Sequence, residues 1–401
     1  MSIALFKRLP GTAATPVVPL PTLFTRRTLG QPIGGPDMPI SNAADERFLN
    51  LHEFIKEARL KLNAYHWDYL IGGSETETTL KRNRLALDSV AFRPRVLVSV
   101  DHVDATHDFF GHKLRLPVAL APVGSLQSFE AGGGATVAAG AGQFGVPMIL
   151  SSVSEPGLEA VAKSGTGPKI FQLYVKGDDD FIADYANRAI DAGYDAFCIT
   201  VDTAVMSRRE RDIAKRWRKP WQRNDYGMSF QSALNWKNIE IFKSKFKIPL
   251  IIKGIATSED AETAIAHGVD VIYVSNHGGR QLDHGRGSFD VLPEIVNAVA
   301  GRAKVYIDGG FSRGSDVLKG LAMGADLVIL GRLYVYALAA NGADGIVRLL
   351  EILEDEMHEV MGLMGVTKLA DLDRTFLHPA TPTVEPGVHS AFPHLRLGDG
   401  Y

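Results

Sequence analysis

Ser275-Asn276-His277-Gly278-Gly279-Arg280 sets an imidazole and a guanidinium on either side of two glycines. A neutral imidazole can take a proton from a hydroxyl. A planar guanidinium forks a carboxylate in a way that lysine cannot. Asp202 could orient the His277 ring and stabilise its charged form, as the carboxylate of a triad does. Arg209 offers a second fork, whereas its neighbour Arg208 reads as a surface or loop contact. Lys253, if buried beneath a cofactor ring, could stabilise negative charge that develops during a reduction. Each residue alone has a plainer reading. Asp202 could cap a helix, Lys253 could reach water, and a single histidine is more often structural than catalytic. Their weight comes from where they fall along the chain.

That position follows from a repeated junction of helix, glycine and short apolar run. It occurs at Gly145-Val146-Pro147, Gly193-Tyr194-Asp195, Gly268-Val269-Asp270 and Gly324-Ala325-Asp326. A glycine suits the left-handed position that ends a helix, and runs apolar on both faces suit a covered parallel sheet. Four further runs fit the pattern, at 117–121, 169–174, 249–253 and 304–308. Amphipathic segments such as 179–192, 258–267 and 315–323 separate most of them. Strands alternating with helices give a barrel or a doubly wound sheet, and eight strands favour an α/β (β/α)8 TIM barrel. A leading helical section over 46–100 and a closing helix over 343–363 complete it. Residues 1–45 and 378–401, rich in proline, read as extended terminal arms around a single barrel domain, 46–377.

Active sites of such barrels lie at the C-terminal strand ends. There the apolar runs give way to Gln172 and Tyr174, Thr200 and Asp202, Lys253, Ser275 to Arg280, Asp308-Gly309-Gly310, and Gly331-Arg332. Glycines after the seventh and eighth strands let backbone N–H groups approach an anion, and a following helix adds its positive end.

Composition narrows the classes. Hydrophobic residues make up 45% and charged residues 22% of the 401, and net charge is -3. No global basic field attracts nucleic acid, and no apolar run is long enough to span a bilayer. The one cysteine, Cys198, sits in an apolar run and reads as inert packing. Histidine spacing is poor for metal, and no Walker loop, Rossmann fingerprint or serine elbow is present. Arg26-Arg27 precedes no apolar stretch, so the cytoplasm is the expected location.

Ser275-Asn276-His277-Gly278-Gly279-Arg280-Gln281-Leu282-Asp283 resembles the signature of the FMN-dependent 2-hydroxy acid dehydrogenases, which include glycolate oxidase, lactate oxidase, lactate monooxygenase and mandelate dehydrogenase. The likeness runs from about Asn50 to about Leu377. It implies FMN as cofactor and oxidation of an (S)-2-hydroxy acid to the 2-oxo acid. The implied base is His277 with Asp202 behind it. Tyr69, Tyr174, Arg209 and Arg280 are the implied substrate contacts. The implied cofactor contacts are Pro122, Val123, Gly124 and Ser151, then Gln172, Thr200, Lys253 and Ser275. Asp308, Gly309, Gly310, Ser312, Arg313, Gly331 and Arg332 form the implied ribityl and phosphate end. Oxygen or another electron acceptor would complete turnover, and relatives suggest a homotetramer.

Departures from the family pattern sharpen the expectation. Ser312-Arg313 replaces a pair of arginines, so one phosphate contact is weaker or is made by a hydroxyl. Gly124 stands where the oxidases usually carry alanine, which puts efficient use of oxygen in doubt. Val153 stands at a tryptophan of glycolate oxidase and Met206 at a leucine, which suggests a lactate- or mandelate-like substrate. The short variable segment after Arg209 carries Arg211, Lys215, Arg216, Arg218, Lys219 and Arg223. It reads as a solvated basic lid or as one selecting an aromatic or more anionic substrate. Alternative functions are oxidative decarboxylation like that of lactate monooxygenase, another FMN or phosphate-binding barrel enzyme, and a flavin-binding protein without turnover.

Overall fold

Gly145, Gly193, Gly268 and Gly324 all adopt left-handed backbone at the end of a helix. At three of these junctions the aspartate two residues later accepts a backbone N–H at the start of the preceding strand. Asp195 takes Lys169 N, Asp270 takes Leu250 N and Asp326 takes Val305 N, each at 2.8 Å. The repeat therefore ends a helix and ties one strand to the last, satisfying donors that a strand start would leave unpaired. Asp195 also pairs with His112 at 2.8 Å.

The computed structural model describes residues 47–216 and 228–395. All eight expected runs are strands: β1 Val118–Leu120, β2 Met148–Ser151, β3 Lys169–Leu173, β4 Ala196–Thr200, β5 Leu250–Ile255, β6 Val271–Val274, β7 Lys304–Ile307 and β8 Leu327–Leu330. They close in chain order into a parallel barrel, with β8 pairing β1. Ile199, Ile251, Ile252, Val271 and Leu327 are among the side chains fully withdrawn from water in its core. Burial likewise pushes the Cys198 thiol up to about 12, as inert packing requires.

The leading section forms three helices, α1 Leu51–Lys61, α2 Ala64–Ile71 and α3 Thr78–Asp88. Asn50 caps α1 and Asn63 caps α2 through their side-chain oxygens. The residue before α3, Glu77, supplies no side-chain cap. Asp283 of the barrel motif does so from a distance, accepting Thr79 N at 2.8 Å and Thr76 N at 3.0 Å. Burial opposes its charge, yet the N–H of Thr79 and the hydroxyl of Thr76 hold its carboxyl well below the usual range. The motif thus fixes α3 over the barrel mouth.

The expected closing helix is the second part of Arg332–Met364, which breaks at Asn341 and Gly342. Two features differ from expectation. A hairpin, His107–Phe109 with His112–Leu114, precedes the barrel, and Phe109 stacks near Tyr306 of β7. The proline-rich stretch after Leu377 is not a free arm where it is described. Leu377–Pro379 pairs antiparallel with Val90–Phe92, and Phe392 is buried. The arm over 1–45 lies outside the described residues.

Candidate active site

His277 sits in left-handed backbone (φ +61°), followed by Gly278 and Gly279 in the same region. A Cβ at Gly279 would approach the Leu80 backbone to 2.5 Å, so the turn must pass α3 without a side chain. Ser275 Oγ accepts the His277 N–H at 3.0 Å, and the turn aims the imidazole into the cavity.

His277 Nδ1 lies 2.9 Å from Asp202 Oδ1. Burial pushes Asp202 up, but the His277 and Lys253 charges outweigh it, and the carboxyl is held below its usual value. An ionised carboxylate only accepts, so Nδ1 donates and Nε2 keeps its lone pair. Tyr174 OH lies 3.3 Å from Nε2. Burial, against the opposing pull of Asp202, lowers the pKa of His277. At neutral pH the ring is an uncharged base with one orientation.

Gly254 in β5 is left-handed, and the β5–β6 register shifts beside it. This bulge leaves Lys253 buried, with Nζ 3.1 Å from Ser275 Oγ and 3.9 Å from Asp308 Oδ2. Asp308 also accepts from Ser275 Oγ at 2.7 Å and Tyr273 OH at 2.8 Å. Gln172 Nε2 donates to Thr200 Oγ1 at 2.9 Å, while Gln172 Oε1 is buried without a partner among the described residues.

A cavity of ≈ 1630 Å³, counting its part open to solvent, occupies the barrel mouth. This exceeds what one small substrate needs. Its wall includes Tyr69, Pro122, Val123, Gly124, Tyr174, Arg209, Lys253, His277, Arg280, Asp308, Gly309, Gly310, Ser312, Gly331 and Arg332. Asp202 stands behind His277, and Ser151, Gln172, Thr200 and Ser275 are buried at strand ends rather than in the wall. Arg280 Nη1 donates to the carbonyls of Tyr69 and Gly72 at 2.6 and 2.9 Å, and its Cζ lies 4.8 Å from the Tyr69 ring centre. Arg209 donates from Nε to Ser207 Oγ at 3.2 Å. Burial, and then the Arg280 charge, push its pKa down to about 10.

At the other end the expected groups already have partners within the protein. Arg313 is absent from the wall because it pairs with Glu356 at 2.5 Å. Arg332 reaches the wall, but Nε, Nη1 and Nη2 donate to the carbonyls of Leu70, Gly278 and Gly72 at 3.1, 3.0 and 2.8 Å. At the start of the helix Gly314–Ala322, Asp316 accepts from Ser312 N and Arg313 N, and Glu356 accepts from Gly314 N, so carboxylates already face its positive end. What remains at this end is the left-handed Gly309-Gly310 turn beside Ser312 and Gly331. A Cβ at Gly310 would meet the Asn83 backbone at 3.0 Å.

Sequence reasoning missed several wall residues. Asn83 and Arg84 come from α3, and Gly387 and Val388 from beyond the barrel. Gln231 accepts Val175 N at 2.7 Å and donates to Thr200 O at 2.9 Å, pinning the ends of β3 and β4. Its place in an amphipathic stretch after a variable segment gave no signal. The basic lid is partly tested. Arg211 pairs with Glu77 at 2.6 Å, and Lys215 with Asp68, so these two charges, still partly exposed, tie the segment to the start of α3 and to α2 and stand outside the cavity wall. Arg218, Lys219 and Arg223 lie outside the described residues. Arg208 pairs with Glu210 at 2.6 Å on the surface. Among the described residues no group of three or more His, Cys, Asp or Glu could hold a metal, and no helix is long and apolar enough to cross a membrane.

The site fits FMN: a glycine turn for phosphate, an unpartnered Gln172 oxygen for a ring N–H, and a buried lysine. Known proteins agree. Residues 58–379 match the family model described as FMN-dependent dehydrogenase. Glycolate oxidase 1 of Oryza sativa subsp. indica is 37% identical over 351 residues, covering 82% of this chain and 95% of that protein. L-lactate oxidase of Nostoc sp. is 36% identical over 357 residues, covering 82% and 98%. A crystal structure of mandelate oxidase with (S)-2-phenylpropionate superposes with a TM-score of 0.78 at 38% identity, over 84% of this chain and 100% of that one. The chain is therefore an FMN-dependent oxidoreductase and belongs to the FMN-dependent dehydrogenase family.

Proposed function

We propose that this chain oxidises a 2-hydroxy acid bulkier than glycolate to the 2-oxo acid. The observation that carries this is His277 fixed by Asp202 in a wall it shares with Arg209, Arg280, Tyr69 and Tyr174. Arg209 and Arg280 repel one another within a buried space, and a carboxylate between two guanidiniums relieves both desolvation and repulsion. With the carboxylate so held, the adjacent hydroxyl can face His277 Nε2, which takes its proton. Asp202 then stabilises the imidazolium. FMN, when bound, supplies the acceptor for two electrons. Lys253, buried at the barrel mouth, holds a positive charge where negative charge would otherwise accumulate.

The size of the side chain is argued from the apolar part of the wall. Phe129, Val153, Val205 and Met206 line it, and a Cβ at Gly124 would come within 2.8 Å of Val153 Cγ2. These side chains give an apolar surface that glycolate, lacking a side chain, would not use. Anaerobic mixing of the yellow enzyme with glycolate, lactate and mandelate tests this. Lactate or mandelate should bleach the flavin faster than glycolate. Fastest bleaching by glycolate would remove the size argument, and no bleaching by any 2-hydroxy acid would remove the function.

A further inference from the structure

Residues after Pro379 lie beyond the stretch that matches the family, yet Gly387 and Val388 form part of the cavity wall. Two anchors hold them there. Phe392, 2% exposed, meets His52 edge-on at 5.6 Å between ring centres. His389 stacks on Trp67 at 5.7 Å and lies 3.1 Å from Tyr336 OH through Nε2. Two overlapping turns shape this stretch, with Gly387 N donating to Ser390 Oγ at 3.1 Å around His389 and Phe392 N donating to His389 O at 2.9 Å. Burial, then the charges of Arg332 and Arg211, push His389 down to about 4. It is therefore a neutral partner for the Tyr336 hydroxyl at any ordinary pH.

We propose that residues 380–395 are a retaining strap whose docking closes the β8 side of the cavity and limits release of FMN. Both Tyr336 and Arg332, the neighbours of His389, follow β8 in the chain. The Gly309-Gly310 turn and Gly331 lie at the ends of β7 and β8, so the strap flanks the end of the cavity assigned above to the phosphate. Short, late segments anchored by one or two side chains open more readily than a barrel. Opening this one would uncover the cofactor without unfolding the domain.

The inference rests on that seating of FMN, and the experiment separates the two. Holoenzyme is diluted, and released FMN is followed by its rise in fluorescence, for wild type, Phe392→Ala and His389→Leu. Phe392→Ala should release FMN about tenfold faster or more, because a buried ring that holds the segment is lost. His389→Leu, which keeps the bulk and removes the hydrogen bond, should release it about threefold faster, and it carries the test if Phe392→Ala does not fold. KM for the 2-hydroxy acid should move less than FMN release in either variant. Wild-type protein that purifies without flavin would overturn the seating and the strap together. Wild type that holds FMN while a folded variant releases it at the wild-type rate would overturn the strap alone, as would a raised KM with unchanged release.

Discussion

The two ends of the cavity commit their positive charge to different degrees. At the rim, Arg209, Arg280 and Lys253 all line the cavity, and burial penalises Arg209 enough to push it down to about 10. At the glycine end, Arg84 is taken by Asp88 and Asp316, Arg313 by Glu356, and Arg332 by three backbone carbonyls. The N–H groups leading into the helix there, those of Ser312, Arg313 and Gly314, are taken by Asp316 and Glu356. At the rim Arg209 spends Nε on Ser207 and Arg280 spends Nη1 on two carbonyls, which leaves guanidinium N–H groups on both for a ligand that comes and goes. Charge at the other end is built into the scaffold, and the ligand is left to backbone and shape.

Breaking the rim should have the largest effects. His277→Ala removes the base facing the hydroxyl and should slow flavin bleaching by about 10³- to 10⁴-fold while the protein remains yellow. Rapid mixing without oxygen reads both results, and normal bleaching would reject the assignment. Asp202→Asn should cost about 10²-fold or more, since the imidazolium loses its counter-charge. It should also move the acid limb of kcat/KM. In the wild type the net shift of His277 is downward, so the neutral base persists below pH 6.5 and activity falls only under that value. Asp202 opposes that shift, so its neutral replacement should carry the limb to still lower pH. A limb that moves upward would contradict the pair. Arg280→Lys keeps the charge but loses the planar fork, and kcat/KM should fall by about 10²-fold.

What was legible in the sequence follows the same division. The eight strands could be read because each is a local apolar run, and four follow a glycine that ends a helix. The rim could be read because polar residues interrupt those runs at one end, where only chemistry or a cap explains them. Arg332 and Arg313 were visible as residue types, but their partners, Glu356 and the carbonyls of Leu70, Gly72 and Gly278, come from distant elements. Asn83 belongs to a helix whose periodicity marks only its core face. Its amide pairs with that of Asn276 through two bonds, at 2.7 and 2.9 Å. The Phe392 anchor and the His107–His112 region carry little local pattern, because proline-rich chain and short hairpins gain their structure from what they pack against.

The glycine end offers the smaller effects. Gly310→Ala should weaken FMN binding by about tenfold, because a left-handed turn must accept a methyl 3.0 Å from the Asn83 backbone. Titration of apoprotein with FMN, followed by quenching of flavin fluorescence, gives the affinity directly. Unchanged affinity would show that the turn does not carry the phosphate. The most discriminating result is the smallest. Arg313→Gln deletes a full positive charge near the phosphate end, and a simple electrostatic view of that end predicts a large loss. The guanidinium, however, already faces Glu356 at 2.5 Å and stands outside the cavity wall. Without Arg313 the half-buried Glu356, whose pKa burial already raises, takes up a proton, so the net charge at this place changes little and FMN affinity should change by no more than about threefold. Some loss of thermal stability is expected instead, since burial already raises the pKa of Glu356 and the Arg313 charge is the main influence opposing it. A loss of FMN affinity comparable to that of Gly310→Ala would mean that Arg313 leaves Glu356 for the phosphate, and the contrast between the two ends would be one of timing rather than construction.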